Sequence, residues 1–251
     1  FGTTDRTYKN AINLVKEYGA TLKEISIKEA SLLHMKNIGL DPNDRSVTYE
    51  NIGARERTEI LMNLSNMLGG IVIGTGDLSE LALGWCTYNG DHMSMYSVNC
   101  SIPKTLVRHL VEYCKDNSTD KRKKILTDIL DTPISPELLP PDESGNILQK
   151  TESIIGPYVL HDFFLYHLLR YGNSFKKIYF LAKETFKDSF TSTDIKKWLK
   201  VFIKRFYTQQ FKRNAVPDGI KVGTISLSPR GNLRMPSEAS FKEILEELDK
   251  I

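Results

Sequence analysis

Long apolar runs, net charge and paired cysteines are all in short supply, and each shortage removes a class of function. No stretch of the 251 residues approaches the roughly 20 apolar residues that a membrane span requires, and the N-terminus lacks the charged-then-apolar layout of a signal peptide. A soluble, cytoplasmic protein is expected. Cys86, Cys100 and Cys114 are an odd number at no metal-like spacing, which fits reduced thiols better than disulfides or zinc. The 34 basic residues barely exceed the 31 acidic ones, giving a net charge of +3. Apart from the run at 121–124, read as a solvated loop or helix start, the basic residues are scattered, so charge gives nucleic-acid binding no support. The five histidines are also dispersed, and no repeat or low-complexity tract occurs.

What is present is a chain with 40% hydrophobic content, enough to bury a substantial core. Thr4 or Asp5 can cap a helix whose apolar positions Tyr8, Ala11, Ile12, Val15 and Tyr18 follow helical spacing, with Gly19 at its end. Residues 21–26 alternate like a strand, a helix follows from about Lys28, and a second runs from 48 to 67. Residues 71–74 are the next strand. Such alternation predicts an α/β fold, a parallel sheet with helices on both faces. After Pro103 amphipathic helices dominate, at 104–115, 123–130, 158–171, 174–186 and 194–209. Residues 132–145 hold four of the ten prolines and read as a loop, either a plain connector or a lid. The expected division is a main domain at 1–187 and a helical and loop extension of it at 188–251.

The most informative stretch is IVIGTGDLSE at 71–80, followed by LALGWCTYNGDH at 81–92 and closed by Pro103 and Lys104. Three apolar β-formers run into a Gly-Thr-Gly turn, and residues 77–79 can cap a helix, so backbone N–H groups and a positive dipole end would face one spot. Glu80 and Asp91 add two hard oxygen ligands and Lys104 adds one cation, a set suited to Mg²⁺ with polyphosphate. Trp85 continues the apolar run of Leu81 and Leu83 and reads as packing.

The run GTGDLSELALGWCTYNGDHMSMYSVNCSIPKTL at 74–106 closely resembles the synthetase domain of NAD⁺ synthetases of the bacterial glutamine-dependent kind. Resemblance continues through RERT at 55–58, DTPISPELLP at 131–140, QKTE at 149–152, QFKR at 210–213 and SLSPRG at 226–231. It covers nearly the whole chain and implies an adenine nucleotide alpha hydrolase-like fold. One departure stands out, because the family's Ser-Gly-Gly-x-Asp-Ser phosphate loop and its amidase domain have no counterpart here. The expectation is therefore a part of a larger enzyme, with that loop and the first strand lying upstream.

The chemistry that the resemblance implies is carbon–nitrogen ligation. ATP adenylates the nicotinate carboxylate of deamido-NAD⁺, and ammonia released from glutamine by the amidase domain displaces AMP. Glu80 takes the place of the Mg²⁺-binding glutamate, with a helix-capping carboxylate as its alternative reading. Thr75, Thr132 and Arg55 match nucleotide contacts, although Thr75 also reads as a turn residue and Arg55 as one charge in an exposed helix row. Asp91 matches the residue on the nicotinate side, and Lys104 the lysine that neutralises phosphate charge. A cation at a helix N-terminus opposes the dipole, so a nearby anion would explain Lys104. Lys212 matches the lysine that closes over the phosphates, preceded by Phe211 where shorter relatives have histidine. Asn99, with Tyr88, Asn89, His92 and Glu152, lies in shared motifs as a further candidate contact. The resemblance also implies a homo-oligomer. Two other readings stand beside it: a non-catalytic nucleotide-binding or oligomerisation module, and another ATP pyrophosphatase-type ligase with a different acyl substrate.

Overall fold

The structure is a computed structural model that describes residues 2–135, 138–139 and 151–251. The chain divides into two compact units, one of Phe1–Gly70, Asn89–Asp91 and Arg108–Thr151, the other of Ile71–Tyr88, His92–Val107 and Glu152–Ile251.

The first unit is helical. Helix α1 (Asp5–Glu17) starts where the Thr4 hydroxyl accepts the Thr7 N–H, and Gly19 at φ 67° lets the chain turn away after it. It packs on α6 (Asp120–Leu130), where the Arg6 guanidinium meets the Asp128 carboxylate at 2.7 Å. The basic run 121–124 lies in the first turns of α6. Helices α2 (Lys28–Ile38) and α3 (Val47–Leu68) pair through a small core of Met35, Tyr49 and Ile52. α3 begins at the Ser46 cap and stops at Gly69, whose φ of 64° ends it.

The expected strand at 21–26 is not formed, and this segment has no regular structure. Leu22 and Ile25, the two apolar side chains of the segment, are 39% and 46% exposed. A strand needs a partner for its N–H and C=O groups, and among the described residues nothing pairs with this one.

The second unit holds the sheet and the main core. Strands β1 (Ile73–Gly74) and β2 (Tyr96–Ser97) are parallel, with Ile73 opposite Tyr96 and Gly74 opposite Ser97, and Gly219 makes a further parallel bridge to Ser97. Gly74 has to be glycine, since a Cβ there would lie 2.4 Å from the Ser94 hydroxyl. α4 (Leu78–Leu83) follows β1, and α5 (Lys104–Asp116) begins in this unit and continues in the other. Past α7 (Thr151–Ile155), helices α8 (Tyr158–Tyr171), α9 (Phe175–Thr185) and α10 (Ser192–Thr208) pack pairwise around Leu160, Phe164, Ile178, Leu199 and Phe202, all fully buried. Each such side chain stabilises the unit by about 1.5–3 kcal/mol. Leu78, Ala82 and Leu83 put one face of α4 into this core, so the segment after β1 is seated on the helical layer. α11 (Gln210–Asn214) and α12 (Lys242–Asp249) complete it, and neither they nor α7 were expected. The lid reading of 132–145 falls largely on 136–137 and 140–145, outside the described residues.

Candidate functional site

α4 is only six residues long and its two ends carry the chemistry. At the N-terminus the Asp77 carboxylate accepts the Glu80 N–H at 2.9 Å, while Glu80 Oε2 accepts the Asp77 N–H at 3.1 Å. This reciprocal capping box, encoded by Asp-x-x-Glu, satisfies two otherwise unpaired donors. The Lys104 ammonium then sits 2.6 Å from Asp77 Oδ2 and 2.7 Å from Glu80 Oε1. The anion that a lysine at the start of α5 requires is thus supplied by the protein itself.

Burial shapes this triad. Asp77 is 2% exposed, and the Lys104 and Glu80 side chains are 20% and 24% exposed. Burial, reinforced by the Asp77 charge, pushes the Glu80 carboxyl up to about 7, with Lys104 pulling the other way. Burial works against the Lys104 ammonium, but Glu80 and Asp77 outweigh it and hold its pKa above the ordinary value. Two carboxylate oxygens therefore converge on one cation position. Mg²⁺ is commonly held by one or two carboxylates plus substrate phosphates, so Glu80 and Asp77 are the ligand type it takes, at the position the Lys104 ammonium occupies here. Among the described residues no cluster of three or more acidic, histidine or cysteine ligands forms a metal cage without substrate.

Tyr158 lies over the same triad. Its ring centroid is 5.5 Å from Lys104 Nζ, and the residue is 2% exposed. Its buried hydroxyl has no partner among the described residues. Burial and the Glu80 and Asp77 charges keep the phenol protonated.

At the other end, three cations hold the carbonyls at and just past the C-terminus of α4. Arg213 donates to Leu81 O at 3.1 Å and Ala82 O at 2.9 Å, Arg205 to Leu83 O at 2.8 Å, and Lys212 to Gly84 O at 2.9 Å and Cys86 O at 2.7 Å. Positive charge suits this negative dipole end. Arg213 is 1% exposed and lies over the Phe206 ring at 4.6 Å, with its remaining donors on Gln210 and Phe206 O. Burial lowers its pKa to about 10, so it stays charged at neutral pH. The Lys212 carbonyl pairs with His92 Nε2 at 2.7 Å, and the His92 ring stacks on Tyr88 at 5.2 Å. Trp85 is half-buried against the core with Arg205 above its ring, consistent with its reading as packing.

Of the sequence candidates, the structure joins Glu80 directly to Lys104 and sets Lys212 at the opposite end of α4, a helix about 9 Å long. Thr75 is exposed just after β1, and the Asn99 carbonyl accepts the Ile102 N–H at 2.9 Å in the turn before Lys104. Arg55, exposed on α3, and Asp91, also exposed, lie in the other unit. So does Thr132, whose hydroxyl donates to Asp128 O at 2.7 Å. Asp77, Tyr158, Arg205 and Arg213, which surround the two ends of α4, are not among the sequence candidates. Only Asp77 carried a readable signal, the capping-box spacing to Glu80.

The NAD synthase family model matches residues 2–143. The glutamine-dependent NAD(+) synthetase of Mycobacterium leprae is 43% identical over 276 aligned positions, which take in all of this chain and 40% of that protein. The enzyme of the same name from Mycobacterium tuberculosis is 41% identical over 275 positions, again 100% of this chain and 40% of the relative. The chain thus spans about two fifths of the length of these relatives. A crystal structure of a glutamine-dependent NAD(+) synthetase from Cytophaga hutchinsonii superposes with a TM-score of 0.74 at 21% identity, over 98% of this chain and 39% of that one. That likeness shows the fold, which is α/β of the adenine nucleotide alpha hydrolase-like kind. With the family match spanning α1 to α6, including the capped α4 and its lysine, the chain belongs to the NAD synthase family.

Proposed function

We propose that the protein to which this chain belongs amidates deamido-NAD⁺ to NAD⁺ at the expense of ATP. The observation that carries this reading is the identity of 43% sustained across the whole chain with a glutamine-dependent NAD(+) synthetase. In the first step a nicotinate carboxylate oxygen attacks the α-phosphorus of ATP, the bond to the β-phosphate breaks, and pyrophosphate leaves. In the second, ammonia attacks the acyl carbon, loses a proton, and AMP departs with the bonding electrons.

Both steps redistribute negative charge over phosphate oxygens, so fixed cations are the main requirement. Lys104 supplies one at the start of α5, held in place by Asp77 and Glu80. Glu80 would hold Mg²⁺, with Asp77 beside it, once the Lys104 ammonium turns from them to substrate phosphate, and the ion would neutralise phosphate charge during adenylation. Lys212 supplies a second cation, poised on the Gly84 and Cys86 carbonyls. Asp91 orients the nicotinate side of the substrate, while Arg55, Thr75, Thr132 and Asn99 contact nucleotide. Ammonia comes from a glutamine amidase domain, and the enzyme works as a cytoplasmic homo-oligomer. No helix among the described residues is long and apolar enough to cross a membrane.

The test is to incubate the intact protein with ATP, Mg²⁺, deamido-NAD⁺ and ammonium and to measure AMP and NAD⁺ together. Equal amounts of the two are expected. AMP without NAD⁺, or neither product, overturns the assignment.

A further inference from the structure

The start of α5 is unusual in where it finds its hydrogen-bond acceptors. A helix leaves its first N–H groups without intrahelical partners, and a Ser, Thr, Asp or Asn at the N-cap ordinarily accepts one of them. Here the residue before Lys104 is Pro103, which has no side-chain acceptor. The acceptors come instead from two other helices. The Lys104 N–H donates to Ser79 Oγ of α4 at 2.8 Å, and the Thr105 N–H donates to Asp162 Oδ2 of α8 at 3.0 Å. Thr105 Oγ1 donates to the same Asp162 oxygen at 2.7 Å. Ser79 closes the chain by donating its own hydroxyl proton to Asp162 Oδ1.

Burial raises the Asp162 carboxyl above its ordinary pKa, against the pull of the Ser79 and Thr105 donors. Ser79 Oγ accepts the Lys104 N–H, so its single hydroxyl proton is available for Asp162, and an ionised Asp162 accepts from three donors without giving any. Ser79 is 1% exposed. The Asp162 charge also faces the positive end of α5, offsetting the conflict between that dipole and the Lys104 ammonium. Nothing in this relay reaches the Lys104 ammonium directly. It fixes the backbone from which that side chain extends toward Asp77 and Glu80.

We propose that Asp162, acting through Ser79 and Thr105, is a positioning residue for Lys104. The catalytic half of this statement rests on the ligase reading given above; the structural half does not. Charge stabilisation of a transferring phosphoryl group is sensitive to placement, and a displacement of about 1 Å can cost about 10²-fold in rate.

Asp162→Asn puts an NH₂ group against the Ser79 hydroxyl or the Thr105 donors, and Ser79→Ala deletes both the acceptor of the Lys104 amide and the donor to Asp162 while leaving the Thr105 bonds in place. Both variants would be treated with formaldehyde and cyanoborohydride, and the rate of Lys104 methylation followed by mass spectrometry of its peptide. Exposed Lys177 on α9 serves as internal reference. In the parent, Lys104 is labelled slowly because it is ion-paired and mostly buried. Both variants are expected to label several-fold faster at Lys104 and unchanged at Lys177. Should Asp162→Asn not fold, Ser79→Ala carries the test alone, since it removes no charge. Labelling of Lys104 at the parental rate in a folded variant overturns the proposal. In the intact enzyme kcat should fall about 10²-fold, with the KM for deamido-NAD⁺ nearly unchanged. A parental kcat despite faster labelling refutes the catalytic half. A parent enzyme that forms no NAD⁺ overturns the ligase reading instead, leaving the labelling result to decide whether Asp162 positions Lys104.

Discussion

His161 should make the protein acid-sensitive in a way that one substitution removes. The side chain is 1% exposed in the core of the second unit, between Phe164 at 6.2 Å and Phe202 at 6.0 Å. Its Nε2–H donates to Ile155 O at 2.7 Å, and its Nδ1 is buried without a partner among the described residues. The neutral ring therefore satisfies itself with one bond, whereas a second proton on Nδ1 would be a buried donor with no acceptor. Burial, with the Arg205 charge adding to it, lowers the pKa from the ordinary 6.5 to about 4. Between these values the unfolded chain binds a proton that the folded chain refuses, so stability falls as pH falls through this window. At 1.36 kcal/mol for each pKa unit the loss is about 3 kcal/mol, complete below about pH 4. Urea unfolding followed by circular dichroism at several pH values between about 7 and 4 would measure it in the parent and in His161→Gln. Buried carboxylates contribute to both proteins alike. The gap between parent and variant should therefore shrink by about 3 kcal/mol across the window. A gap that stays constant with pH would refute the argument, because it would mean that the folded protein protonates His161 as readily as the unfolded chain does.

Other expectations concern the two ends of α4. Arg213→Met leaves the Leu81, Ala82 and Phe206 carbonyls without their buried donor and should cost about 3 kcal/mol or more in urea unfolding. Arg213→Lys, with a compact ammonium in place of the fork, should recover only part of it. Asp77→Ala removes both the cap and an ion-pair partner of Lys104 and should cost about 1–2 kcal/mol, while Asp77→Asn, which keeps a capping oxygen, should cost less; equal thermal shifts would mean that the cap contributes nothing. Gly84 has φ 57°, and a Cβ there would lie 2.3 Å from Gln209 Cβ, so Gly84→Ala should lower the melting temperature far more than Gly172→Ala, whose φ of 62° is similar but whose surroundings are open.

Helices were legible where their signals were local. The helix expected at 158–171 has those bounds in the structure, because its apolar spacing is long, whereas α6 begins at Asp120, three residues before the expected Lys123, because Thr119 caps it. The strand expected at 21–26 does not form because Leu22 and Ile25, three residues apart, fall on opposite faces of an extended chain, and no pattern in the segment specifies a partner strand. At the candidate site, the Gly-Thr-Gly turn and the family resemblance single out Glu80 and Lys104, which the structure brings together. Their pairing with Asp77 was not legible, since Lys104 is 24 residues from Glu80 and no pattern at that separation specifies a contact. Asp162 and Arg213 were hidden for the same reason: an aspartate in a helix and an arginine in a basic stretch look solvated until the helices they join are packed.

The clamp on the C-terminal end of α4 also bears on how the chain is made. A six-residue helix has no stability of its own in water. The donors that hold its carbonyls, on α10 and α11, follow those carbonyls by 122 to 132 residues. At synthesis rates of about 5–20 residues per second, α4 emerges from the ribosome on the order of ten seconds before its clamp does. Through that interval Leu78 and Leu83, which end in the core, have nothing from the later helices to bury them. The segment that carries the family signature is thus among the last parts of this chain able to reach its final shape, and a delay in α10 or α11 would be felt first there.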